Sequence, residues 1–374
     1  MLTATATGMF GSMLLMTLTT PALPTPRMLG LPESWGLIDT LKPIELETLA
    51  QLTLSTGCRS TLLASSNYRL AEAQLVCDAL LSFAVVNRRL AAGGVATPDE
   101  RSLLHALLAN ALGTVNARPY RGEPTHLVEG KNVPDSVVYR GLIELMLAGL
   151  YKLGAEDPKT TRLFDGLAAD LVADYQHHDY LPSYRDASWP CDNAIAAAAL
   201  ALHGRLRHND ASRVTAHALA ARLNALRQSR HGFVTQLNSK GRRVAGTPRG
   251  SAIAWATAFL KQGDFDEAAP FATSLLRDFC DEALVLNQPL AACREWPRGV
   301  DRGPDATSGP IVSGYGVAAS ALAIAATHGS AHEAFAQMLI DTATLAGLAG
   351  MTAEPEHYLL ENVIFAWARS VRAW

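Results

Sequence analysis

Charge is what this sequence has least of. Only 18% of its 374 residues are charged, whereas about 25% is usual for a soluble protein. The 32 basic and 35 acidic residues leave a formal net charge of −3. Such a balance does not provide the basic surface that nucleic-acid binding requires. We therefore expect a small-molecule substrate and no nucleic-acid partner. The 49% of hydrophobic residues is ample for a large buried core.

Cysteine is also scarce, and its spacing excludes a common class of metal site. No two cysteines form a CxxC pair, so a structural zinc site is not predicted, and no other spacing predicts a metal. The odd number leaves at least one thiol free. Glycines cluster near Gly314 and Gly316, but no strand precedes them, so they do not form a dinucleotide-binding motif. We predict no cofactor. The cysteines are Cys58, Cys77, Cys191, Cys280 and Cys293.

Hydrophobic runs long enough to span a membrane are missing. The run from Met9 to Leu18 is too short to cross a bilayer, and a proline-rich stretch follows it. The run fits the apolar part of a signal peptide, although no Lys or Arg precedes it. The alternative is an arm that is disordered or docked on the core. We treat 1–40 as a separate segment, with membrane association through residues 9–23 and a periplasmic or membrane location favoured over a cytoplasmic one.

Alternating β-branched residues are rare, whereas Ala, Leu and Arg recur at helical spacing. The remainder of the chain is therefore predicted to be helical. One exception is a small β-hairpin formed by 232–236 and 242–244, joined by a turn over 238–241. The predicted helices are 43–55, 67–92, 98–112, 134–153, 157–175, 190–207, 211–229, 248–262, 265–286, 309–327, 331–347 and 356–372.

The links between these twelve predicted helices alternate between short and long. If consecutive helices are antiparallel, all the long links lie on one face. A helical hairpin repeating about every fifty residues predicts six hairpins closed into a ring. We therefore predict an all-α fold, an (α/α)6 toroid over residues 41–374 with one β-hairpin insertion. The alternative is an open α-solenoid with a concave surface.

The long links carry most of the side chains that could perform chemistry. Two carboxylates facing each other across the opening of a toroid suffice for general acid–base catalysis. We predict that Asp186 pairs with Glu295, Asp301 or Asp305. Loop carboxylates are also commonly solvated or helix-capping, and Asp192 could simply belong to the first turn of a helix.

Cys191 is a further candidate for catalysis. It follows Pro190 at the start of a predicted helix, where the helix dipole would lower its pKa and favour the thiolate. The alternative is an inert buried cysteine. Polar and aromatic side chains on the same links and on the helix starts beside them are predicted to bind substrate. These are Tyr139, Tyr184, Arg185, Trp189, Asp192, Trp296 and Tyr315.

Several short motifs resemble the bacterial linalool dehydratase/isomerase-like proteins, in the same order over roughly residues 45 to 370. The resemblance implies an (α/α)6 toroid, a cyclic homo-oligomer, export to the periplasm, and cofactor-free hydration, dehydration and isomerisation of a monoterpene alcohol. The motifs are Gly57-Cys58, Tyr68-Arg69-Leu70-Ala71, Tyr139-Arg140-Gly141, Trp189-Pro190-Cys191-Asp192-Asn193, and the run from Ser308-Gly309-Pro310 to Ala318-Ala319-Ser320.

Most of that family's functional residues have no match in this chain. One catalytic cysteine falls on Cys191, while the other falls near Pro182. The family's aspartate, histidine and a tyrosine fall near Thr48, Leu142 and Ser251. The resemblance therefore implies a divergent lyase or isomerase that acts on a small hydrophobic alcohol. Two alternatives remain open: a carbohydrate-active hydrolase or epimerase, and a non-catalytic toroid that binds a ligand or a membrane.

Overall fold

The computed structural model describes residues 44–58, 72–113, 118–120, 124–184, 187–229, 232–238, 241–285, 287–300, 302–304, 308–345 and 355–374. The apolar run 9–23 lies outside this part of the chain, so its predicted role stays a prediction. The division of the chain at residue 40 is likewise untested. None of the helices in the described ranges is long and apolar enough to cross a membrane.

Twelve α-helices form within the described residues, as the sequence predicts. The odd-numbered helices are α1 (Leu46–Thr56), α3 (Pro98–Ala111), α5 (Pro158–Tyr175), α7 (Asp210–Gln228), α9 (Ala268–Phe279) and α11 (Glu333–Ala343). The even-numbered helices are α2 (Ala73–Ala91), α4 (Val137–Lys152), α6 (Pro190–Leu206), α8 (Gly250–Gln262), α10 (Val317–Thr327) and α12 (Leu359–Ala368).

The even-numbered helices form a closed inner ring. Each packs against the next even-numbered helix, and α12 packs against α2. The odd-numbered helices pack outside this ring, and α3, α7, α9 and α11 each contact the even-numbered helix that precedes them in sequence. This arrangement confirms the predicted (α/α)6 toroid. It also excludes the open solenoid, in which the first and last helices would be far apart.

The links alternate as predicted. Even-to-odd links are a few residues long, whereas every odd-to-even link is longer. The inner helices are therefore parallel to one another, and their N-terminal ends lie on one face, which we call the long-link face. Capping boxes start two outer helices on the opposite face. Thr97 caps α3 and Asp157 caps α5, each followed by a proline at the first helical position.

Four antiparallel hairpins occur in the described parts of the long links, more than the single hairpin predicted. The predicted hairpin is present as β3–β4, with a shifted register. The predicted helix 265–286 is wrong at its end, because the chain leaves α9 after Phe279 and continues as a strand. The predicted helix 309–327 likewise begins only at Val317. The strands are β1 (Thr125–Val128), β2 (Lys131–Pro134), β3 (Gln236–Leu237), β4 (Arg243–Ala245), β5 (Cys280–Val285), β6 (Gln288–Cys293), β7 (Ile311–Val312) and β8 (Tyr315–Gly316).

Aromatic side chains fill the ring at the end opposite the long-link face. The Phe83 ring lies 6.3 Å from that of Phe259 and 5.6 Å from that of Trp374, in edge-to-face geometry. The Trp374 indole donates a hydrogen bond to Asn87 Oδ1 at 2.6 Å, and its carbonyl oxygen accepts one from Arg205. This end of the ring is therefore packed core, and any site on the ring axis must lie toward the long-link face.

Two disulfides are present, and they leave Cys191 as the free cysteine of the chain. Cys58 is bonded to Cys77 of α2, and Cys280 is bonded to Cys293 across the first pair of β5–β6. The second bridge therefore fixes the base of a hairpin that the local sequence does not predict.

Replacing Cys280 and Cys293 together with serine should lower the free energy of unfolding. The bridge closes a loop with a sequence separation of 13, which in the chain-entropy model is worth about 3 kcal/mol. Urea unfolding of the double variant and the wild type, both under oxidising conditions, measures the difference. Equal free energies of unfolding would contradict a stabilising role for this bridge.

Candidate active site at the long-link face

Three polar side chains from two inner-helix starts meet on the long-link face. Glu72 immediately precedes α2, Tyr184 lies in the link before α6, and Asp192 is in the first turn of α6. The Tyr184 hydroxyl donates a hydrogen bond to Glu72 Oε1. Glu72 and Asp192 are each only 7% exposed. The ring thus brings together two carboxyl groups that are 120 positions apart in sequence.

The link before α6 holds these groups by its own hydrogen bonds. Tyr184 and Ala187 form an antiparallel bridge. Ser183 accepts a hydrogen bond from the Trp189 backbone N–H at 3.1 Å, and its carbonyl oxygen accepts one from the Ser136 hydroxyl at 2.8 Å. Trp189 then has extended backbone, as expected of a residue before proline, and Pro190 begins the helix.

The pKa of Asp192 is raised from its ordinary value of 3.8 to about 7. Burial is the main cause, and the negative charge of Glu72 adds to it. Ser183, Cys191 and Trp255 favour the charged form and only partly offset this rise. Asp192 Oδ2 has no hydrogen-bond partner within the described residues. Asp192 is therefore a buried carboxyl group with a pKa near neutrality, and one of its oxygens has no partner among the described side chains.

Cys191 does not have the lowered pKa predicted for it. Burial raises the pKa of its thiol well above the ordinary value, and the neighbouring Asp192 raises it further. The Sγ atom lies 3.8 Å from Asp192 Oδ1. Arg249 acts in the opposite direction but does not prevail. The prediction considered only the helix N-terminus, whereas desolvation dominates at a buried position, so the geometry does not favour a thiolate.

Aromatic rings surround the carboxyl groups. The Tyr184 ring stacks on that of Tyr120 at 6.2 Å and meets the Trp189 ring edge-to-face at 5.4 Å. Tyr120 also contacts the Tyr139 ring, and burial raises the pKa of Tyr139 to about 12. Trp189 and Trp255 are half-buried, so part of each indole remains accessible. The sequence predicts that Tyr139, Tyr184 and Trp189 bind substrate. In the structure Tyr184 contacts Trp189, and Tyr139 and Tyr184 both contact Tyr120.

Glu295 is fully buried and engaged by other side chains. Its Oε1 accepts hydrogen bonds from Arg249 at 2.5 Å and from the Ser251 hydroxyl at 2.6 Å. Glu295 lies in the α9–α10 link, which crosses the start of α8. A Cβ at Gly250 would lie 2.1 Å from the Arg294 carbonyl oxygen of this link, so only glycine fits there. This geometry is that of an anchor between the link and α8, and the catalytic role predicted for Glu295 stays untested.

The other predicted residues are distributed between two groups. Arg185, Asp186, Asp301 and Asp305 lie outside the described residues, so their predicted pairing remains a prediction. Trp296 and Tyr315 lie in the α9–α10 link. The Arg249 guanidinium is 5.5 Å from the Trp296 ring, and Tyr315 donates a hydrogen bond to Asp281 at 2.9 Å.

Glu72 is the site residue that the sequence does not reveal. The predicted helix 67–92 places Glu72 in its first turns. An acidic side chain there usually only stabilises the helix, through its interaction with the helix dipole. In the structure α2 begins at Ala73, so Glu72 lies at the helix start and reaches the same face as Asp192. An acidic residue at the start of an inner helix is the signal that could have identified it.

A second polar cluster lies between α4, α5 and the β1–β2 hairpin. His126, Asp170 and Asp174 have ligand-type atoms within 4.8 Å of one another, a spacing that the sequence does not predict. The fully buried Arg140 guanidinium forms ion pairs with Asp170 at 2.7 Å, Asp174 at 2.6 Å and Asp135 at 2.9 Å. A protein cation thus already offsets the negative charge, and we interpret the cluster as structural.

Comparison with known proteins gives a fold likeness and no family. No family model matches the chain, and no curated protein matches it. Among solved structures, the chain is similar to a family 76 glycoside hydrolase from a bovine Bacteroides thetaiotaomicron strain. The TM-score is 0.48 at 9% identity, over 87% of this chain and 77% of that chain.

The resemblance to linalool dehydratase/isomerase-like proteins is therefore wrong. The matching structure is a glycoside hydrolase. The monoterpene chemistry that the resemblance implied loses its basis, whereas the predicted homo-oligomer stays a prediction. Any activity must be inferred from this chain's own side chains.

Proposed function

We propose that this protein is a carbohydrate-active enzyme that hydrolyses a glycosidic bond, with Asp192 and Glu72 as its carboxyl pair. The observation that carries the proposal is the raised pKa of Asp192. This side chain is almost completely buried, and the charge of Glu72 contributes to the rise. Two carboxyl groups whose environments separate their roles are the minimum that this reaction needs.

Each residue has a role that its contacts support. Asp192 donates its proton to the glycosidic oxygen as the bond from that oxygen to the anomeric carbon breaks. A water molecule bonds to the anomeric carbon and transfers its proton to Glu72. The Tyr184 hydroxyl donates a hydrogen bond to the Glu72 carboxylate and thereby fixes the orientation of that carboxylate. Solvent then returns both groups to their starting protonation states.

The surrounding rings favour a sugar as the substrate. Sugar rings present flat C–H faces that stack on indoles, while their hydroxyls need polar partners. Trp189 and Trp255 supply partly accessible indole surface near Asp192, and the Asp192 carboxyl is itself a polar partner for a sugar hydroxyl. This combination of rings and buried acid distinguishes the site from a purely apolar pocket for a hydrophobic alcohol.

A screen of oligosaccharides with the wild type and Glu72→Gln tests the proposal. We expect the wild type to cleave at least one oligosaccharide and Glu72→Gln to be slower by about two to four orders of magnitude. Glu129→Gln, which changes a carboxylate that is 45% exposed on the β1–β2 turn, is the matched control and should retain full activity.

The products of the same screen are informative. Inversion at the anomeric carbon, followed by NMR, indicates that Glu72 acts as a base on water, whereas retention indicates that it attacks the sugar itself. A wild type that leaves all the oligosaccharides intact, or a Glu72→Gln variant with full activity, would contradict the proposal. Binding without cleavage would instead favour the non-catalytic toroid.

A further inference from the structure

We infer that the sugar which this site accepts is anionic, and that Arg302 binds its carboxylate. The inference rests on the proposed function, because it names the substrate class of the same site. Arg302 is exposed, and its guanidinium lies 5.5 Å from the centroid of the Trp296 ring. Within the described part of the chain it forms no ion pair with a carboxylate.

A chain of contacts links Arg302 to the start of α8 on the long-link face, and α8 packs against α6, which carries Asp192. Trp296 is also contacted by Arg249, again at 5.5 Å, and the charge of Arg249 acts on Cys191, the neighbour of Asp192. Trp296 Nε1 donates a hydrogen bond to the Gly303 carbonyl oxygen at 3.4 Å, which holds the segment next to Arg302. Arg249 and Arg302 therefore contact the same indole, and Arg302 is the exposed one of the two.

The other arginines of this region are already neutralised. Arg249 pairs with Glu295 at 2.5 Å, and Arg294 and Arg298 both pair with Asp281. Arg302 differs from these three because its positive charge faces solvent. A guanidinium stacked on an indole has lost part of its side-chain freedom, so less entropy remains to be lost when it binds a ligand.

The chemistry of the guanidinium indicates a carboxylate rather than a hydroxyl as its partner. Its two parallel N–H groups match the two oxygens of a carboxylate in a bidentate pair. A sugar oxidised at C6 carries such a group on an otherwise neutral ring. The inference therefore specifies a glycoside that contains a uronic acid and that places a carboxylate at Arg302 when it binds on the long-link face.

The test compares a uronic-acid oligosaccharide with the same oligosaccharide after chemical reduction of its carboxylates to alcohols. We expect Arg302→Gln to raise KM for the acidic form by about ten- to a hundredfold, and to leave KM for the reduced form unchanged. Arg302→Lys keeps the charge without the fork and should give an intermediate KM. Arg298→Gln removes the same charge from an arginine already paired with Asp281, and serves as the control.

The outcomes separate this inference from the proposed function. If the wild type cleaves both forms equally well, or if Arg302→Gln and Arg298→Gln have the same effect, the inference fails while the proposed function stands. If no oligosaccharide is cleaved, the proposed function fails. Calorimetric titration of the uronic-acid oligosaccharide at low salt then decides the inference alone. Equal affinity for wild type and Arg302→Gln would overturn it.

Discussion

Asp192→Asn should lower the catalytic rate by about two to four orders of magnitude and, at the same time, make the protein more stable at pH 8. Loss of rate follows because asparagine cannot donate a proton to the leaving oxygen. The gain in stability follows because the wild type must bury a charge at this position above pH 7. A residue whose charged form is costly to the fold is typical of an active site.

The sign of the pH effect follows from the direction of the pKa shift. The pKa of Asp192 is about 7 in the folded protein and 3.8 when unperturbed, so folding favours the protonated form. Below pH 4 both states hold the proton and the shift has no effect on stability. Between pH 4 and pH 7 the wild type loses stability, up to about 4 kcal/mol for a shift of about three units, and the loss is complete above pH 7.

Urea unfolding of the wild type and Asp192→Asn at pH 4, 6 and 8 measures this effect. The variant should match the wild type at pH 4 and exceed it increasingly at pH 6 and pH 8. Asp210→Asn is the control, because Asp210 is 84% exposed and its substitution should change stability little at any of these pH values. A constant difference between Asp192→Asn and wild type across the range would contradict the raised pKa.

Arg140→Leu should lower the free energy of unfolding by about 3 to 5 kcal/mol. Its guanidinium is fully buried and forms ion pairs with Asp135, Asp170 and Asp174 at 2.6 to 2.9 Å. Leucine would leave three carboxylates close together without a counter-charge. Because Arg140 lies in the inner helix α4 and two of the acids lie in the outer helix α5, the loss would act on the packing between the two layers.

Two further variants distinguish charge from geometry at Arg140. Arg140→Lys retains the positive charge but cannot contact three carboxylates with one planar group. We therefore expect an intermediate loss of the free energy of unfolding, measured by urea unfolding. Arg213→Leu removes an exposed arginine that is paired with Asp210, and should cost less than about 1 kcal/mol. Equal losses for Arg140→Leu and Arg213→Leu would contradict the role assigned to the buried cluster.

The ring architecture could be predicted from the sequence because it depends on local signals. Thr97-Pro98 and Asp157-Pro158 mark helix starts through capping and proline chemistry that acts within four residues. The alternation of short and long links then follows from counting residues between helices. The same alternation is compatible with an open solenoid, so closure of the ring is shown only by the packing of α12 against α2.

The hairpins of the long links could not all be predicted, for two different physical reasons. Strand β5 contains Asp281, Glu282, Ala283 and Leu284, which have no strong strand preference, and its pairing depends on the bridge from Cys280 to a partner 13 positions away. In β1–β2 the two-residue turn is Glu129-Gly130, and both residues have positive φ; only the glycine favours that conformation, so the sequence signal for the turn is weak.

The candidate site was predictable only in part. Tyr184, Trp189 and Asp192 are identified by their place in a long link and at the following helix start. The place of Glu72 in the site and the upward shift of the Cys191 pKa could not be predicted. Both depend on burial and on charges that other elements contribute. Desolvation is set by the assembled ring, and no spacing along the chain encodes it.

Asp192 must be a proton donor near neutral pH for the proposed reaction to occur, and one measurement tests this property without a substrate. Carbon-13 labelling of the aspartate carboxyl groups allows each to be titrated by NMR, and the signal absent from Asp192→Asn identifies Asp192. We predict a midpoint near pH 7 for that signal. A midpoint below about pH 5, within the range of ordinary aspartates, would contradict the assignment of Asp192 as the general acid.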